Sequence, residues 1–184
     1  MIIFGIDPGS DCTGYGCVNT DGSRHTLVTC GAIRTKAAAT FPEKLLVIHA
    51  RLTTLLSECR PDAVAIENLF HAVNARSALK LGHARGVAML AAAEAGVPIY
   101  EYTPAEVKRV VVGYGRAEKP QVQQMIKMML SLAEPPSPHD AADALAVAVC
   151  HIHSQPPPRS AQAIAAATAD RPRRAATSWR HYRP

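Results

Sequence analysis

Apolar and polar positions follow two periods along the first 153 residues, a period of about two in short runs and of 3.6 in longer ones. Ile2–Ile6 is a wholly apolar run closed by Asp7, the pattern of a buried strand. Thr13–Val18 and Leu27–Ile33 read as second and third strands, and the short loops between them predict an antiparallel meander. From Thr40 to Cys59 the apolar positions Phe41, Leu45, Ile48, Leu52, Leu55 and Cys59 recur at steps of four and three, behind a Thr40–Glu43 capping box. Ala63–Ile66 is a fourth strand, ending at Glu67. Ala75–Ala95 predicts a long helix with Ala78, Gly82, Gly86 and Ala93 on one face. Each interior glycine costs roughly 1 kcal/mol against alanine, so two of them predict the close approach of another backbone. Val97–Tyr102 is a fifth strand, and Thr103-Pro104-Ala105-Glu106 opens a short helix that Gly113-Tyr114-Gly115 stops. Pro120–Leu132 predicts a helix with Val122, Met125, Met129 and Leu132 inward, and a last helix runs from Ser137 to about His153.

Three strands followed by alternating helix and strand predict an α/β domain over residues 1–153: a five-stranded mixed sheet with helices on both faces. Residues 154–184 are rich in Pro, Ala and Arg and are expected to be a largely disordered tail. The charge divides at the same point. Residues 1–153 hold 14 Lys+Arg against 14 Asp+Glu, and residues 154–184 hold six Arg against one Asp, so the tail supplies the whole net charge of +5. Within the domain, residues 76–127 carry eight Lys+Arg and four Asp+Glu, a bias that suits a phosphate-binding face. No apolar stretch approaches the ~18 residues of a membrane span, and the first residues lack the basic lead of a signal peptide. Five scattered cysteines without a CxxC pair argue against zinc and suit a reducing cytoplasm.

The candidate chemistry lies in four acids. Asp7 and Glu67 end two strands, and Asp140 and Asp143 share one face of the last helix. Two like charges 4 Å apart repel by about 4 kcal/mol at an effective dielectric near 20, so a converging set calls for a divalent cation. Oxygen ligands favour Mg²⁺ or Mn²⁺. Plainer readings exist: Asp7 as a turn residue before Pro8-Gly9, and Asp140 as the third residue of a capping box with Ser137. His151 and His153 lack a third ligand.

Six segments in order carry a resemblance: Gly5-Ile6-Asp7-Pro8-Gly9-Ser10 with Thr13-Gly14-Tyr15-Gly16; Ala65-Ile66-Glu67-Asn68-Leu69-Phe70; Asn74 to Gly82; Val110-Val111-Val112-Gly113; Ala117-Glu118-Lys119; and Asp140-Ala141-Ala142-Asp143-Ala144-Leu145-Ala146. Over about residues 1–153 the chain resembles the RuvC crossover-junction endodeoxyribonucleases. The resemblance implies a ribonuclease H-like fold and a homodimeric, Mg²⁺-dependent resolvase of four-way (Holliday) DNA junctions in recombination and repair. It implies two ions per site, held by Asp7, Glu67, Asp140 and Asp143, and in-line hydrolysis leaving 5′-phosphate and 3′-hydroxyl ends. Asp140 aligns with a position that is histidine in some members, and His139 stands beside it. The resemblance further implies that Lys119 and Lys108 contact the scissile region, that Phe70 stacks on unpaired bases, that Arg76 and Lys80 meet DNA, and that a branch-migration motor is a partner.

Two other readings fit part of the pattern. A sugar-kinase or actin-like ATPase also opens with a strand, an Asp and a glycine-rich turn, and Asp7-Pro8-Gly9-Ser10 with Gly14 could cradle phosphate. Such proteins need two domains of this kind and a second phosphate segment. A non-catalytic junction-binding protein is the third reading, and metal-dependent nicking separates it from an enzyme.

Overall fold

β1 (Ile2–Asp7), β2 (Cys12–Thr20) and β3 (His25–Arg34) form the antiparallel meander expected from their short loops. β4 (Ala63–Glu67) and β5 (Ile99–Tyr102) pair in parallel on the other side of β1, so the sheet runs β3-β2-β1-β4-β5. The computed structural model describes residues 1–35, 40–68 and 74–154. Phe70 and the tail beyond residue 154 lie outside them.

Five helices complete the unit: α1 (Phe41–Cys59), α2 (Ala75–Glu94), α3 (Pro104–Val112), α4 (Lys119–Met129) and α5 (His139–Ser154). Alternation along the strands sends their side chains to two faces. Phe4, Ile6, Val64 and Ile66 face α1 and α2, where Ile48, Leu52, Ala84 and Ala88 meet them. Ile3, Ala63 and Ala65 face α3, α4 and α5. On that face α5 is buried without a break from Ala144 to His151. It lies directly on β1 and β2 because the strands present glycine. A Cβ at Gly5 would run into the Ala144 carbonyl, and one at Gly14 into the carbonyl of Asp140.

One expectation is filled out and two need correction. In α4 Val122 is buried and Met125, Met129 and Leu132 pack partly buried against the core, as expected, while Ile126 and Leu130 complete the fully buried row. Ser137 does not cap α5. The Ala142 N–H donates to the Pro138 carbonyl at 3.3 Å, so Pro138 is the N-cap and Asp140 the second residue rather than the third. In α2 the buried face is Ala84, Ala88, Ala91 and Ala92, whereas a Cβ at Gly82 or Gly86 meets nothing within 4 Å. The backbone those glycines anticipated does not come from the described part of this chain.

Candidate active site

Asp7 and Glu67 end adjacent parallel strands whose register pairs Ile6 with Ile66, so the two carboxylates stand side by side. They share the strand parity of Ile3, Ala63 and Ala65 and therefore project toward α5. There Asp143, one turn into α5, joins them. The three acids, with Lys108 from α3 and Lys119 from the start of α4, line a cleft of about 290 Å³ walled by Val107, Val122 and Ala146.

The apolar walls set the electrostatics. Burial, then the charge and hydrogen bond of Glu67, then the charge of Asp143 push the Asp7 carboxyl up to about 9, against the pull of Lys119. Burial also raises Glu67, while Lys119 and Lys108 lower it. Asp7 and Glu67 thus titrate as a coupled pair, both held above the usual carboxylate range. Lys119 Nζ donates to Asp143 Oδ2 at 2.7 Å, and this bond leads the causes that raise its pKa and keep it cationic. Asp140 is not among the lining residues. Its Oδ2 accepts from the Cys12 thiol at 3.1 Å. Burial first, then that bond, lift Cys12 to about 11, so it remains a thiol.

The family model described as crossover junction endodeoxyribonuclease RuvC matches residues 3–151. The chain belongs to the RuvC family. A RuvC of Alkaliphilus metalliredigens is 56% identical over 154 residues, covering 84% of this chain and 94% of that one. A RuvC of Pelobacter propionicus is 52% identical over 185 residues, covering all of both chains. Thermus thermophilus RuvC, solved with a Holliday junction substrate, superposes with a TM-score of 0.79 at 39% identity, over 83% of this chain and 93% of that one. The ribonuclease H-like fold and the endodeoxyribonuclease class follow from this membership.

Within that RuvC frame the remaining residues fall in different places. Arg76 and Lys80 sit exposed in the first turns of α2, outside the cleft, with Lys80 Nζ 5.9 Å from the Phe41 ring centre. The two histidines part company. His151 is buried and pairs with the Tyr102 hydroxyl at 2.7 Å, while His153 Nε2 meets His25 Nε2 at 3.1 Å. At the cleft Asp143 is engaged by Lys119, and outside it Asp140 is engaged by Cys12. The ATPase reading loses its cradle, because the space at Gly14 is filled by the Asp140 backbone and that at Gly9 by the Cys12 carbonyl.

Cys12 had no signal of its own in the sequence. It reaches Asp140 only because α5 crosses the start of β2. Asn68, Glu101 and Arg85 were equally silent. Asn68 Nδ2 donates to Glu101 Oε2 at 3.2 Å, and Arg85 Nη2 pairs as an ion with Glu101 Oε1 at 2.6 Å, beside the strand end that carries Glu67.

Proposed function

We propose that this endodeoxyribonuclease resolves Holliday junctions as a homodimer, nicking two strands symmetrically. Mg²⁺, replaceable by Mn²⁺, would be held two ions per site by Asp7, Glu67 and Asp143, with Asp140 joining from the same helix. The carrying observation is the cleft: three carboxylates and two lysines converge at the ends of parallel strands in a RuvC-family chain. The donor set fits a hard divalent ion, being all oxygen. A cation there would also relieve the burial and repulsion that push Asp7 up to about 9. Bound there, the ions would supply water activation and stabilisation of the leaving 3′ oxygen.

The chain's own groups do the rest. Asp7 and Glu67 would have to be deprotonated to hold the ions, which makes ion binding pH-dependent. Lys108 and Lys119 attract the scissile phosphate and offset its charge at the transition state. Val107, Val122 and Ala146 keep the cleft in low dielectric, which strengthens each of these interactions. Phe70 stacks on a base next to the cut, and Arg76 and Lys80 hold phosphates outside the cleft. Nicking in line leaves a 5′ phosphate and a 3′ hydroxyl that ligase can seal.

The dimer face would be the groove of about 530 Å³ between α1 and α2, lined by Leu45, Leu79, Gly82, Gly86 and Leu90. Such a continuous apolar surface suits a second copy of the same helix across a two-fold axis. No helix among the described residues is long and apolar enough to cross a membrane, and all five cysteines are free thiols. Both suit work in the cytoplasm beside a branch-migration motor. The test is nicking of a synthetic four-way junction by the full-length protein with and without Mg²⁺. Paired nicks that need Mg²⁺ support the reading, and junction binding without metal-dependent cleavage refutes it.

A further inference from the structure

Glu67 is the last residue of β4, where a strand has least support. The next residue, Asn68, is tied down twice. Its N–H donates to the Tyr102 carbonyl at 2.7 Å, one step beyond the β4–β5 register that ends with Glu67 opposite Tyr102. Its side chain donates to Glu101 Oε2 at 3.2 Å, and the other oxygen of Glu101 forms an ion pair with Arg85 of α2, Nη2 to Oε1 2.6 Å. Arg85 is half-buried, its side chain 25% exposed, and Glu101 meets it from the surface with a side chain 34% exposed, so solvent screens the pair in part. Arg85 Nε is buried without an acceptor among the described residues. Unsatisfied buried donors are uncommon in folded proteins. Neither Arg85 nor Glu101 lines the cleft. Arg85 stands next to Gly86 on the helix whose outer face forms the apolar groove.

We propose that Arg85 and Glu101 are positioning residues for strand cutting. Through Asn68 they set where the Glu67 carboxylate stands relative to Asp7, and they join that position to α2. The inference rests on the reading of the cleft as the metal-holding nicking site. A ligand that drifts by about 1 Å can cost on the order of a hundredfold in rate, so a tether at the strand end has work to do. Because the tether acts through Glu67, its loss is felt in ion binding and cutting and not in DNA affinity, which comes mainly from phosphate contacts elsewhere.

The test uses the full-length protein and the substitutions Glu101→Gln, Arg85→Gln, Arg85→Lys and Asn68→Ala. Glu101→Gln and Arg85→Gln are expected to slow single-turnover nicking of pre-bound junction by about tenfold or more. Both should weaken Mn²⁺ binding to the DNA-free protein, read by electron paramagnetic resonance, and leave junction affinity within about twofold of wild type. Arg85→Lys keeps a cation against Glu101 and should recover most of the rate. Unchanged nicking and unchanged Mn²⁺ affinity in Glu101→Gln overturn the inference, as does a loss of junction binding that accounts for the whole loss of rate. Should Glu101→Gln fail to fold, Asn68→Ala leaves the ion pair intact and carries the same expectations, so wild-type behaviour there is equally decisive. A wild-type protein without metal-dependent nicking would instead refute the function proposed above.

Discussion

α5 and α2 are both rich in alanine and lie on opposite faces of one sheet, yet they use small residues in opposite ways. Under α5 the glycines belong to the strands. Gly5 and Gly14 leave room that the helix backbone fills, and α5 is buried from Ala144 to His151. On α2 the glycines belong to the helix and point outward. Gly82 and Gly86 meet nothing, and Leu79 and Leu90 beside them are 65% and 51% exposed. One set is matched within the chain, and the other forms a groove that the described chain leaves open. A small residue in a regular element announces a close neighbour, and only the folded molecule tells whether that neighbour belongs to the same chain.

The comparison breaks most visibly on the α5 side. Gly5→Val puts side-chain atoms into the Ala144 backbone, which cannot rotate away. The expected cost is about 3 kcal/mol or more, a fall in Tm of roughly 10 °C. A thermal melt within a few degrees of wild type would mean that α5 can lift from the sheet. Asp7→Asn keeps the packing and removes the chemistry. Nicking should fall by at least about a hundredfold while junction affinity persists. Retention of more than a tenth of the wild-type rate would count heavily against the metal assignment.

The same substitution has a stability signature. Asp7 is raised from 3.8 to about 9, first by burial and then by Glu67, so the native state keeps a proton that the unfolded chain loses. Its contribution to metal-free stability therefore falls as pH rises between those two values. Asp7→Asn should remove that contribution and raise the Tm of the metal-free protein at pH 8. Equal Tm for wild type and Asp7→Asn across the interval in EDTA would contradict the assignment.

On the α2 side the effect moves from fold to assembly. Gly82→Leu should raise monomer stability by up to about 1 kcal/mol, because its side chain enters open space and a helix-interior glycine is removed. It should weaken dimerisation by about tenfold or more in sedimentation experiments. A wild-type monomer at micromolar concentration would remove the basis for paired nicks. The smallest effect concerns the tail. Removing residues 155–184 takes away six arginines and leaves the described unit whole. Each phosphate that the tail no longer neutralises lowers the salt slope of duplex affinity by about 0.9, with junction cutting at low salt nearly unchanged. Equal slopes would mean that the tail touches no DNA.

Much of the site was legible because strand-end acids and helix periodicity are local signals. Asp7 closes an apolar run, Glu67 closes another, and Asp143 has no structural excuse where it stands in the last helix. Asp140 was less clear for a physical reason: a helix N-terminus welcomes any acid, so position alone could not tell capping from chemistry. The structure removes the capping box with Ser137 and gives Asp140 a thiol partner instead. In α4 the inward side was legible from Val122, Met125, Met129 and Leu132, while Ile126 and Leu130, which the fold buries completely, were not singled out.

The sequence by itself determined the elements, their order and the family, and it singled out the acids as candidates, since each of these is written in local pattern or in residues at fixed spacing. Tertiary structure alone decided which acids share a cleft, that Lys119 answers Asp143, that Cys12 holds Asp140, and that Arg85 reaches Glu67 through Glu101 and Asn68. The bonds among them join residues from 16 positions apart (Arg85 to Glu101) to 128 (Cys12 to Asp140). No periodicity reports such pairs, because they depend on the sheet order and on how closely glycine lets a helix approach.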